Sequence, residues 1–280
     1  MEPTLRLKCT LAYQGTDFAG WQYQPEGRGR SVQACLEEAL ARLAGRPVRA
    51  HGASRTDAGV HALHQVAHAD VPAARAHLPW RRALNALLPR DMAVLAAEEV
   101  SREFHARYDA TAKTYAYTFW LEQGFLLPQR RPFVWDAGSL DLDAMDEAAQ
   151  AFVGSHDFAA FQNAGTPVAD TVREVFSITR HPGPTPHEAV FRVRGGGFLK
   201  QMVRNIMGCL ALAGQGKANA QTVRSLLETK DRTLAPATAP ARGLCLEHME
   251  FGGRGRKRRH QGPDGDPGEH LPDQERLGGL

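Results

Sequence analysis

The chain is poor in cysteine, with Cys9, Cys35, Cys209 and Cys245 far apart and no C-x-x-C pair among its 280 residues. That spacing excludes a disulfide framework and a zinc site built on paired cysteines. All four read as small core residues in a reducing compartment. No apolar run approaches the roughly 20 residues that a membrane span needs. The start, "MEPTLRLKCTLAYQG", lacks the basic-then-apolar layout of a secretory leader, and a cytoplasmic location is expected. The G-x-x-x-x-G-K-[ST] loop, the dinucleotide fingerprint and the nucleophile elbow are all missing, so phosphoryl transfer, hydride transfer and serine hydrolysis have no sequence basis. Lysine is scarce too, 6 residues against 28 arginines. That imbalance fits both planar contacts with phosphates and the Ala- and Gly-rich composition of a GC-rich genome. The net charge of +3 is mildly basic and decides little.

What is present is a series of amphipathic segments. Residues 5–13, "LRLKCTLAY", alternate apolar and polar as a half-buried strand does, whereas "QGTDFAGWQYQPEGRGR" (14–30) is too polar and Gly-rich for an element. From Ser31, an expected N-cap, Val32, Cys35, Leu36, Ala39, Leu40 and Leu43 recur at helical spacing. Strands are predicted on either side of residues 52–61, at 92–100, at 114–121, at 171–181 with 188–195, and at 243–251. Helices are predicted at 78–89, near 141–152, from Phe198 through Ala213 after Gly195–Gly197, and near 219–229. A strand–helix–strand series given twice predicts an α+β fold of two similar halves with mainly antiparallel sheets flanked by helices. The expected division is 1–110, 111–251 and a Gly/Pro/charge-rich tail at 252–280, predicted to be disordered.

Several polar and aromatic clusters have no evident core duty. "GASRTDAGVH" (52–61) sets one carboxylate, Asp57, two residues after Arg55 among small residues, as in a loop whose backbone closely approaches something. Arg204 interrupts three apolar helical turns and either seeks an anion such as Asp57 or extends its charge to solvent. "GGGFLKQM" (195–202) has the glycine content of a phosphate cradle at a helix start, without the spacing of a nucleotide loop. His61, His64 and His68 have ligand-like spacing, but their segment reads as a strand, and no metal site is expected.

Together these clusters resemble the tRNA pseudouridine synthase A family over nearly the whole chain to about residue 251. The family pattern Y-D-G-T-x-F-x-G-W-Q-x-Q stands here as "YQGTDFAGWQYQ", its T/S-V-Q-x-x-L-E-x-A-L helix as "SVQACLEEAL", and its G-R-T-D-A-G-V-H-A as "SRTDAGVHA". "KTYAY", "HDF" and "FLKQMVRNIMG" follow in the family's order. The resemblance implies halves meeting at a central basic cleft, and an enzyme that isomerises uridine to pseudouridine at positions 38, 39 and 40 of the tRNA anticodon stem-loop. It implies no cofactor, because the reaction is an internal rearrangement. Carried over by position, Asp57 matches the catalytic aspartate, acting as nucleophile or as base. Arg204 matches the arginine that pairs with it, Tyr115 the tyrosine that meets the uracil, and Arg55 the arginine that helps turn the base out. Arg28, Arg30, Arg81, Arg82, Arg130 and Arg131 are expected on the RNA surface, and a homodimer on tRNA is implied. Two residues depart from the pattern: Gln14 stands where the family usually has Asp, and Ser54 where it usually has Gly. The second is expected to alter the loop's backbone if that Gly adopts a positive φ.

Overall fold

A computed structural model describes residues 2–24, 29–163 and 168–252. Arg28, expected on the RNA surface, and all but the first residue of the expected tail lie outside that range. β1 (Thr4–Tyr13) buries Leu5, Leu7, Cys9, Leu11 and Tyr13 and leaves Arg6 and Lys8 half-exposed on the opposite face, as its alternation predicts. α1 (Val32–Ala44) begins where the Ser31 side chain accepts a hydrogen bond from the Ala34 amide and ends at Gly45. Next come β2 (Ala50–Gly52), β3 (His61–Pro72), α2 (Trp80–Asn85) and β4 (Met92–Val100). The second half adds β5 (Ala110–Trp120), β6 (Trp135–Asp136), α3 (Leu142–Gln150), β7 (Gly154–Asp157), β8 (Val172–Pro182) and β9 (Glu188–Gly195). It closes with α4 (Met202–Gly214), α5 (Ala220–Thr229) and β10 (Leu244–Phe251).

All ten strands join one sheet in the order β4-β1-β3-β10-β5-β9-β8-β7, with β2 on β3 and β6 on β5. Pairing is antiparallel except β10 with β3 and β6 with β5. The last strand therefore lies between β3 of the first half and β5 of the second, and bonds the two edges together. Register carries one buried face across this seam: Ala62 is beside Leu246, Leu246 beside Tyr115, and Tyr115 beside Val193.

Three expectations need correction. α4 begins at Met202 rather than Phe198, because Gln201 takes a left-handed conformation (φ 62°) that cannot continue a helix. Gly195–Gly197 are thus not at the helix start that the cradle reading needed. Cys35 and Cys245 are half-buried, while Cys9 and Cys209 are in the core, and all four are free thiols. β6 and β7, of two and four residues, are too short to leave a periodic signature.

Candidate active site

The 53–60 loop leaves β2 at Gly52 and enters β3 at His61, and the 14–24 segment is woven onto it. Trp21 donates its amide to the Thr56 carbonyl at 3.0 Å, Gly59 donates to Phe18 at 3.3 Å, and the Asp57 carbonyl accepts from Val60 at 3.2 Å. Gly15 donates to His61 Nδ1 at 3.0 Å. A side chain at Gly20, where φ is 100°, would put its Cβ 2.7 Å from the Thr56 carbonyl oxygen. This close approach explains why the 14–24 stretch is glycine-rich and forms no long element.

A buried polar chain supports the loop from beneath. The Tyr13 and Thr56 hydroxyls are 2.8 Å apart, and fully buried Gln65 lies against the Tyr13 hydroxyl at 3.4 Å. Gln65 accepts from the Ser54 amide at 3.3 Å and donates to the Ser54 carbonyl at 2.7 Å. Lys113, two residues before Tyr115 on β5, donates its ammonium to the Ala53 carbonyl at 2.8 Å. Burial, with Arg107 nearby, brings that ammonium down to about 8. Gln65, Lys113 and Thr56 were not foreseen as parts of the site. Thr56 and Lys113 lie inside motifs the sequence singled out, and Gln65 offered a further signal as a polar residue at a core position of a strand.

Arg204 is 14% exposed and Asp57 19%, and they meet Nη1 to Oδ2 at 3.2 Å across 147 residues of sequence. The Arg204 Nε–H donates to the Ala239 carbonyl at 2.8 Å, and the Ala239 amide returns a bond to the Arg204 carbonyl. Of the two readings of Arg204, the structure shows the anion partner. Arg232 fixes the neighbouring turn by donating to the carbonyls of Gln162, Ala235 and Pro236 and to Asn205 and Thr238. Tyr115 is buried with its hydroxyl 2.8 Å from Ser54 Oγ and its ring edge-on to Phe198. Burial pushes the phenol up to about 12, the Ser54 bond opposing and the Asp57 charge adding, so it is neutral at pH 7. Asp57, Arg204, Tyr115 and Ser54 thus gather above the β3–β10–β5 seam, with Arg55 exposed on the same loop.

Other residues singled out in the sequence lie elsewhere. Arg30 is ion-paired with Asp91 and stacks over Phe18. Arg130 makes two 2.8 Å bonds to buried Glu188. Arg131 is exposed just before β6, and Arg81 and Arg82 are exposed on α2 beside a 470 Å³ cavity lined by Trp80 and Glu99, away from Asp57. His61 Nε2 lies 2.8 Å from the Pro132 carbonyl, while His68 and His64 accept from the Ala106 and Met249 amides. Among the described residues no group of three or more His, Cys, Asp or Glu is arranged to hold a metal ion. No helix among them is long and apolar enough to cross a membrane. Non-glycine residues with positive φ are confined to Gln201 and Lys230 among the described residues, so Ser54 imposes no glycine-like backbone. Gln14 is exposed at the start of its loop.

Comparison with known proteins gives a family for this arrangement. The family model described as tRNA pseudouridine synthase matches residues 10–109 and 148–252. A tRNA pseudouridine synthase A of Solidesulfovibrio magneticus is 61% identical over 253 residues, covering 89% of this chain and 92% of that protein. Those of Maridesulfovibrio salexigens and Geobacillus kaustophilus are 55% and 43% identical, each covering 89% of this chain and 92% and 95% of their own lengths. The matched segments contain the Asp57 loop, the Arg204 helix and the closing strand that joins them, and the chain belongs to the tRNA pseudouridine synthase family.

Proposed function

We propose that the protein isomerises uridine to pseudouridine at positions 38, 39 and 40 of the tRNA anticodon stem-loop at the site above the β3–β10–β5 seam, with Asp57 as the catalytic carboxylate. The observation that carries this reading is the Asp57–Arg204 ion pair beside the Tyr115 phenol. The reaction breaks the N1–C1′ bond, turns the uracil and joins C5 to C1′; the C5 proton is lost and N1 takes one up. Atoms and oxidation level balance without another reactant.

An ionised Asp57 serves this chemistry as nucleophile at C1′ or as base and stabiliser of positive charge there. Arg204 sets an opposite charge 3.2 Å from the carboxylate where RNA would cover the site. Tyr115, neutral and buried, offers the turned uracil a ring face and a hydroxyl. Arg55, on the exposed side of the loop, helps hold the base out of the stem. Stem recognition rests on shape and phosphates, since the deep A-form groove hides base edges, and we assign phosphate contacts to the exposed Arg81, Arg82 and Arg131. The reading includes a homodimer that receives tRNA across both subunits, two α+β halves divided near residue 110, and a cytoplasmic location.

The test is to incubate unmodified tRNA with wild-type protein and with Asp57→Asn, then map pseudouridine in the anticodon stem. Wild type is expected to modify the stem, and Asp57→Asn to lose at least about 10³-fold in rate while still binding tRNA, a loss within the range for removing a group that acts on the reacting atoms. Equal product from both proteins rejects Asp57 as catalyst. Binding without product in either points to an RNA-binding protein, and release of free uracil to a glycoside hydrolase.

A further inference from the structure

The Ser54 hydroxyl is a contact that the family's usual glycine cannot make, and the established activity does not account for it. Its position is fixed with unusual thoroughness for a loop residue. Gln65, itself without solvent exposure, bonds both the amide and the carbonyl of Ser54 at 3.3 and 2.7 Å. Lys113 holds the preceding carbonyl at 2.8 Å. Tyr115 is equally constrained up to its last bond: β5 is paired on both sides, with Leu246 and Val193 opposite Tyr115, and Phe198 meets its ring edge-on with centroids 5.4 Å apart. These contacts fix the ring, but none fixes the rotation of the O–H. That last freedom is removed by Ser54 Oγ at 2.8 Å.

We propose that Ser54 is a positioning residue, which orients the Tyr115 hydroxyl for the uracil through this hydrogen bond. A phenol is the better donor of the two hydroxyls, so in the neutral state Tyr115 donates to Ser54 and keeps a lone pair for the base. When negative charge builds on a uracil oxygen, the two hydroxyls turn together: Ser54 donates to the phenol oxygen and the phenol O–H donates to the base, with no proton transferred. The buried phenol is therefore partnered in both states and does not carry an unsatisfied polar group through the reaction. The inference rests on the reading of Tyr115 as the residue that meets the uracil, and its test separates the two.

Ser54→Ala and Ser54→Gly remove the hydroxyl without demanding a new backbone conformation, since Ser54 has no positive φ. Ser54→Thr keeps it. Each is compared with wild type and Tyr115→Phe on tRNA carrying 5-tritiated uridine, which frees its tritium as C5 bonds to C1′. The Ala and Gly variants are expected to lose about five-fold in kcat, the factor for a neutral hydrogen bond of ~1 kcal/mol, with KM changed by less than about two-fold. The ¹³Cζ resonance of Tyr115, identified by its loss in Tyr115→Phe, is expected to shift at neutral pH in both variants. Thr is expected to restore rate and resonance. Wild-type kcat and resonance in both the Ala and Gly variants overturn the inference and leave the catalytic reading standing. So does a loss of rate that tracks a fall in Tm while the resonance stays in place, because Ser54 would then only hold the loop. A Tyr115→Phe enzyme as fast as wild type overturns instead the role of Tyr115 on which the inference rests.

Discussion

Arg204 is tied at two points: its Nε–H to the Ala239 carbonyl and its Nη1 to Asp57. A guanidinium makes both bonds in one plane with little loss of freedom, and a lysine ammonium at the end of a flexible chain cannot span the two. Arg204→Lys therefore keeps the charge but loses the geometry. It is expected to lower kcat about ten- to hundred-fold, the loss of one charged hydrogen bond of about 1.5–3 kcal/mol, with urea stability changed far less. Single-turnover kinetics and equilibrium unfolding on the same sample check this. A lysine variant at full rate would mean that the charge alone suffices. The sequence made Arg204 conspicuous, because a charge amid three apolar turns calls for a partner. Asp57 could be named as its candidate partner, but spacing alone could not establish a contact across 147 positions.

The element that governs the site is a loop held by another loop. Gly20 combines a φ of 100° with a backbone approach that leaves no room for a Cβ. Gly20→Ala meets both obstacles and is expected to destabilise the protein by about 1–3 kcal/mol, the cost of strained backbone at a non-glycine residue. It should also slow pseudouridine formation more than Ser31→Ala, which removes the α1 cap at a cost of about 1 kcal/mol but leaves the loop packing alone. Denaturant midpoints and rates for the two variants separate loop geometry from general stability. Helix and strand segments were legible because period 3.6 and period 2 are local properties of the chain. The start of α4 was not, because apolar spacing continues through Phe198 while the backbone at Gln201 does not.

Across the whole molecule, β10 closes the structure by pairing with β3 on one side and β5 on the other, so the strand that follows the Asp57 loop and the strand that carries Tyr115 share a single sheet. On this sheet and its flank the rings of His51, His68 and His105 cluster, His51 stacked on His68 and His105 edge-on to His68, with centroids 4.6 to 6.1 Å apart. Burial and the facing His105, His51 and Arg6 bring His68 down to about 3, against which Asp70 acts weakly. Burial, His51, Arg6 and Arg107 bring His105 down to about 4, with Asp109 opposing. The unfolded chain binds these protons near pH 6.5, whereas the folded protein resists them to about 3 and 4. Their contribution is thus intact above pH 6.5 and lost as the pH falls below it. Tm is expected to decline from pH 7 to pH 5, and less steeply in His105→Gln, which keeps an acceptor for the Arg107 and Tyr108 amides. Parallel slopes in the two proteins would remove the histidine cluster as the cause.

The sequence by itself determined most elements and the helix cap at Ser31, because these follow from local periodicity, and it drew Asp57, Tyr115 and Arg204 to notice through motifs in the family's order. Only the tertiary structure decided that β10 joins the two edges, that Gln65 and Lys113 carry the loop, and that the exceptional residue, Ser54, bonds the Tyr115 phenol. Each is a contact between residues distant in the chain. Its existence depends on strand order and register, which sum over many weak pairings and are written in no single segment.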